Sequence, residues 1–178
     1  MEADYQNVSA LRHNALGIQL KGTPWEPIRG ISVDRAGENV LSLRPRLDKV
    51  SHQIACEIKL ENNVKIITFR STLNVENETS LPIEMIVVDS HGKAATGALR
   101  IDPGQSMPMP LNDAYDKRFR LRPLKGFNFD YSWSLPLHWR QLMSRPIRSI
   151  SCKHQTPKEP AFFFQGQANF DEKDPGTR

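Results

Sequence analysis

Apolar and polar residues alternate with a period of two over much of this chain, and rarely with the 3.6-residue period of a helix. The clearest stretch is IACEIKLENNVKIITFRSTLNVEN, where Cys56, Ile58 and Leu60 alternate with Glu57, Lys59 and Glu61. Asn62-Asn63 interrupts the alternation before a second β-branched run begins at Val64. Asparagine tolerates positive φ, so the pattern predicts a tight hairpin there. LPIEMIVVD predicts another strand, ending at Asp89-Ser90-His91-Gly92, and Pro103-Gly104 in IDPGQS carries the residues of a type II turn. In KRFRLRP, Phe119 and Leu121 point one way while Arg118, Arg120 and Arg122 point the other. That is the mark of a half-buried antiparallel strand with a basic outer face. IRSISCKH and AFFFQGQANF predict further strands, the second at an edge because of Gly166, Gln167 and Asn169. Upstream, IRGISVD and NVLSLRP bracket Arg35-Ala36-Gly37-Glu38 and predict another hairpin. The one helix candidate is a short turn around Leu137–Met143.

Thirteen prolines punctuate these runs and work against long helices. The runs amount to about nine or ten short strands with turns roughly every 8–12 residues. The expected fold is therefore all-β, an antiparallel sandwich-like module. A chain of 178 residues can bury a core without disulfide staples. Its two cysteines, Cys56 and Cys152, fall in strand-like runs and read as buried thiols of a reducing compartment. No apolar run approaches the roughly 18 residues that span a bilayer. The opening MEADYQNVSALRHN lacks a basic region followed by an apolar block, so a cytosolic chain without a signal peptide is expected. The sequons at Asn7 and Asn77 would then be irrelevant to glycosylation.

Catalytic signatures are scarce in the chain. The five histidines form no HxxxH or HExxH pair, and Cys152 with His154 has no second ligand pair beside it. No phosphate-binding glycine loop and no GxSxG elbow is present. Asp89, Asp102 and Asp113 fall at strand ends, where carboxylates commonly bond turn backbone. No catalytic residue, metal or cofactor is expected.

Charge changes the picture more. Between Lys117 and Lys158 there are ten Lys/Arg and one acid, Asp130, so the second half should present a basic surface. Arg118, Arg120, Arg122 and Lys125 are its first part. This face either meets an anionic partner, such as an acidic peptide or membrane, or is a solvated strand face that resists edge-to-edge aggregation. Nucleic acid fits least well, because Phe119, Trp133 and Trp139 read as core positions and not as a stacking platform. Tyr131 and Trp133, alternating with serines in YSWS, read either as core or as the aromatic wall of a groove for a proline-rich peptide. Asn77 follows a strand and precedes Thr79 and Pro82, where its side chain can bond neighbouring backbone and set a turn.

The segments RSTLNVENETSLPIEM, DSHGK, IDPGQSMPMPL, RFRLRP, YSWS and CKH fall in order between about Trp25 and Pro175. Together they resemble the adaptor-binding (VAB) domain of the vacuolar-protein-sorting-thirteen family of bridge-like lipid transfer proteins. The resemblance implies one repeat of an array of β modules, an early one. Residues 1–24 would be a lead-in, 25–170 the module, and 171–178 a linker to the next module, approached through Asp174-Pro175. It implies that Asn77 is the asparagine characteristic of such repeats, in a structural or an adaptor-related role. It also implies a non-catalytic module, cytosolic and peripheral at organelle membranes. Such a module helps recruit the lipid transfer protein to membrane contact sites through adaptors carrying short Pro-x-Pro motifs. In that family the Pro-x-Pro groove is attributed to the last modules, so an early repeat would support neighbours that hold the ligand. Pro108-Met109-Pro110 is itself Pro-x-Pro, but reads as structure. Two other readings stand beside this one: a peripheral module binding anionic lipid through the basic face, and an enzyme or carbohydrate-binding sandwich with a concave polar cluster.

Overall fold

The computed structural model describes residues 14–47, 51–111, 113–126 and 129–169. The predicted linker at 171–178, Asp174-Pro175, the sequon at Asn7 and the first half of the lead-in lie outside the described residues. Among those described, the chain is all-β, with twelve strands and one six-residue helix. That exceeds the nine or ten expected because three strands span only three residues each. The chain divides into two compact units, one formed by Met1–Thr72 with Pro108–Asn112 and the other by Leu73–Met107 with Asp113–Arg178.

The first unit contains β1 (Ala15–Ile18), β2 (Ile28–Ser32), β3 (Gly37–Ser42), β4 (Gln53–Glu61) and β5 (Val64–Ser71). β1 and β2 form an antiparallel ribbon, and β3, β4 and β5 form a sheet in that order. Strand β1 lies within the stretch that the sequence assigns to the lead-in. The β4–β5 hairpin turns on Asn62 and Asn63, with φ of 49° and 62°. Both central residues are left-handed, as the type I′ turn requires. The hairpin predicted across Arg35–Glu38 does not form, since β2 bonds β1 while β3 bonds β4. The reason lies in the core: Ile31 and Val33 pack with Cys56 and Ile58, surrounded by Ile18, Ile28, Leu41, Ile67 and Phe69. The chain leaves one sheet and enters the other so that both apolar faces close on the same residues.

The second unit contains β6 (Asn74–Glu76), β7 (Ile83–Val88), β8 (Leu99–Ile101), β9 (Ser106–Pro108, whose last residue falls in the first unit), β10 (Arg118–Pro123), α1 (Trp139–Ser144), β11 (Ile147–Cys152) and β12 (Phe162–Gln167). β7 is the centre of a sheet ordered β10-β7-β8, while β6 pairs β9 and β11 pairs β12. A strand paired on both sides can bury both faces, which accounts for the nearly continuous apolar run IEMIVV. The predicted turns are in place. Asp89 Oδ1 accepts from the backbone N–H of His91 (2.8 Å) and of Lys93 (2.9 Å), and Gly104 takes φ of 74° in the Asp102–Gln105 turn. Cys56 and Cys152 are buried free thiols.

Candidate functional site

Asn77 is 1% exposed, and its backbone and amide groups all have partners. Its N–H donates to Gln105 O (2.9 Å), and its carbonyl accepts from Gly104 N (2.7 Å). Its Nδ2 donates to Leu81 O (2.8 Å) and to Ile101 O (2.9 Å). Its Oδ1 accepts from Thr79 N (3.0 Å). The Thr79 hydroxyl lies 2.7 Å from that oxygen and 2.9 Å from Leu81 O, and it has one proton to share between them. One side chain therefore ties the β6–β7 connection to the end of β8, and its backbone holds the β8–β9 turn. Only an amide meets this demand: a carboxylate has no donor for Leu81 O and Ile101 O, and alanine has neither donor nor acceptor. The adjacent Thr79 was the local signal, whereas Ile101 lies 24 residues away and left none.

The basic strand β10 does not present its arginines uniformly. Arg120 Nε donates to Ser134 O (2.7 Å). Arg122 Nε donates to Glu84 Oε2 (2.7 Å), its direct cross-strand neighbour on β7, and the two side chains are only 17% and 16% exposed. The Arg122 guanidinium also lies 4.1 Å from the Trp133 ring centroid, a cation–π stack in a half-buried setting. The structure thus joins residues that the sequence placed in two separate candidate surfaces. Lys125 is exposed and Arg118 half-buried, near the α1 cap residue His138. Glu84, the lone acid in an apolar run, was the available clue to its pairing with Arg122.

The outer edge of β10 is covered by the segment 134–137. Ser134 N donates to Leu121 O (2.8 Å), and Phe119 and Leu137 exchange backbone bonds of 2.9 and 2.8 Å. The buried Ser134 hydroxyl accepts from Leu121 N (2.9 Å) and donates to Leu135 O (3.1 Å). Cys152 Sγ donates to the Leu121 carbonyl at 3.2 Å, and burial pushes this thiol up to about 11. Such a thiol is protonated near neutrality and a poor nucleophile. Sequence pattern gave no hint of Ser134.

Tyr131 and Trp133 serve different neighbours. Tyr131 meets His154 edge-on at 4.9 Å and Phe162 at 5.6 Å, and Phe162 packs on Phe164 at 4.9 Å. Trp133 lies instead against Arg122. Beyond them, α1 begins with a capping box on His138. Its Nδ1 accepts from Arg140 N (3.2 Å), Gln141 Oε1 accepts from His138 N (3.0 Å), and the imidazole Nε2 lies 3.2 Å from Tyr115 O. Burial holds the His138 pKa below its usual value, and the nearby Arg140 and Arg118 charges act in the same direction. Among the described residues no three His, Cys, Asp or Glu side chains converge as metal ligands. No helix among them is long and apolar enough to cross a membrane.

Comparison with known proteins shows the family of the chain. The family model for the adaptor binding domain of vacuolar-sorting associated protein 13 matches residues 3–178. The intermembrane lipid transfer protein VPS13 of Chaetomium thermophilum is 37% identical over 166 residues, which cover 93% of this chain and 5% of that protein. The chain thus spans a small fraction of the length of this relative.

Proposed function

Because the chain belongs to the VPS13 adaptor-binding-domain family, we propose that it is a non-catalytic interaction module that helps recruit an intermembrane lipid transfer protein, through organelle adaptors, to membrane contact sites. In this reading residues 25–170 are one module of an array, with 1–24 leading in and 171–178 leading out. The adaptors carry short proline-containing motifs, and the parent protein is peripheral at organelle membranes. The observation that carries the reading is the match along residues 3–178, which takes in both compact units.

Asn77 is the structural pin of the module and not a ligand contact, because its polar atoms are engaged inside the fold. The test compares the tagged parent lipid transfer protein with and without this segment, and with Asn77→Ala. Removal should abolish recruitment to organelles at unchanged abundance. Asn77→Ala should lower the Tm of the purified chain, at a cost of about 1–3 kcal/mol for the stranded Ile101 carbonyl, and weaken recruitment as a consequence. Unchanged localisation after removal refutes the recruitment role. Lost adaptor binding at unchanged Tm refutes the structural assignment of Asn77.

A further inference from the structure

From Tyr131 to Lys158 the chain carries five Lys/Arg and no Asp or Glu. The same stretch exposes large apolar side chains: Leu135 is 80% accessible, Met143 46% and Ile147 60%. The β11–β12 register adds another. Ser149 faces Gln165, and Ser151 faces Phe163, so Ile147, Phe163 and these polar residues share the outer side of the ribbon. Ile150, Cys152, Phe162 and Phe164 take the inner side, where Phe162 and Phe164 join the aromatic cluster. Phe163 is therefore 64% exposed between two inward phenylalanines. On α1, Met143 follows Arg140 by three residues, so the two are surface neighbours. Arg140 is exposed, with its guanidinium 5.4 Å from the Tyr115 ring and 5.3 Å from the Trp139 ring, and Nη2 3.2 Å from the Tyr115 hydroxyl.

Exposed apolar residues interleaved with five cations, with Glu159 in the β11–β12 connection as the one acid between Tyr131 and Gln167, match one kind of surface well. An anionic bilayer offers phosphates to the cations and an apolar layer just beneath them. The hairpin tip of β4–β5 makes an internal contrast: Leu60 and Val64 are as exposed, but Glu61 follows Leu60 and lies directly opposite Val64. We propose that α1 and the outer side of the β11–β12 ribbon form a docking face for an anionic membrane. Phe163, Ile147 and Met143 enter the headgroup layer, while Arg140, Arg145, Lys153 and Lys158 contact phosphate. This face is distinct from the β10 arginines, two of which are engaged within the fold.

The test is co-sedimentation of the full chain with phosphatidylcholine vesicles, with and without phosphatidylserine, over a salt series. Binding should require the anionic lipid and fall steeply with salt. Arg140→Ala with Arg145→Ala should lower the partition coefficient about 25-fold at low salt, roughly fivefold for each arginine. Phe163→Ser should lower it about tenfold, with little dependence on salt. Leu60→Ser with Val64→Ser should leave it unchanged. Phe163, Leu60 and Val64 are exposed, so thermal melts of their variants should coincide with the parent chain's, while the arginine pair is compared at a temperature well below its own Tm, because Arg140 also contacts Tyr115. Failure to sediment with anionic vesicles overturns the proposal, as does indifference to Phe163→Ser and Ile147→Ser together. Capture of a protein partner through these same side chains, with vesicles leaving the chain in the supernatant, also overturns it and assigns the face to that protein.

Discussion

Two sheets in this chain carry ion pairs of nearly equal length in unequal surroundings. On the β3–β4–β5 sheet, Arg70 Nη2 approaches Glu38 Oε2 at 2.6 Å, with the side chains 33% and 44% exposed. On the β7–β10 pair, Arg122 Nε meets Glu84 Oε2 at 2.7 Å, with exposures about half of those or less and a tryptophan ring against the guanidinium. Water screens the first pair and competes for its hydrogen bonds, so its net contribution is small. The second has given up much of its hydration, so each partner depends on the other. Distance is shared between the two, and burial separates them. The same contrast divides the polar faces of the strands. The face around Lys59 and Glu61 on β4 ends in solvent, whereas on β10 Arg120 bonds the segment that covers the edge and Arg122 lies between Glu84 and Trp133.

Double-mutant cycles test this contrast directly. Glu84→Ala should cost about 2 kcal/mol in urea unfolding, because it leaves Arg122 half-buried without its carboxylate. The coupling between Glu84 and Arg122 should exceed that between Glu38 and Arg70 several-fold. Equal couplings would mean that burial does not decide the matter. The cover over β10 depends on Ser134, so Ser134→Ala should cost about 1–2 kcal/mol by stranding the N–H of Leu121. A loss below the error of the unfolding curve would show that the cover is held by its backbone bonds alone.

A smaller effect concerns pH. The folded-state pKa of His138 is depressed by burial, so the unfolded chain binds the proton more readily and stability falls as the pH drops below about 6.5. His138→Asn keeps a cap acceptor without the titration, so the difference in Tm between pH 7 and pH 5 should shrink in this variant. An unchanged difference would place the acid sensitivity elsewhere. Asp89 cannot mimic it, because the Lys93 N–H holds that carboxyl below its ordinary 3.8 and its window lies further into acid. The smallest effect belongs to the surface pair: Arg70→Ala should change stability by no more than about 0.5 kcal/mol.

Much of the fold is legible from local sequence. The β class follows from period-two alternation, and the Asn62-Asn63 hairpin from two residues that accept positive φ. The Asp89 and Pro103-Gly104 turns follow from bonds spanning at most four residues. Cys56 and Cys152 lie in apolar alternation and are buried. Ordered together, the short motifs also pointed to the family that the comparisons show.

What alternation cannot say is which face meets water and which neighbour arrives beside it. Period two assigned Arg118, Arg120 and Arg122 to one side of β10, but Glu84, Trp133 and Ser134 come from elsewhere in the chain and decide how much of that side remains free. Likewise β2 and β3 were adjacent in sequence and looked like a hairpin, until the shared core of Ile31, Val33, Cys56 and Ile58 separated them into two sheets. For Asn77 the sequence supplied the Asn-x-Thr turn, and only the fold brought Ile101 and Gln105 to it. The run Phe162-Phe163-Phe164 puts the limit most plainly. Composition makes all three apolar, and pairing with β11 turns two of them inward and leaves Phe163 in solvent. Local chemistry chose the strands and turns, because their energies come from neighbours along the chain. The surfaces were chosen by long-range packing, whose partners no short window of sequence contains.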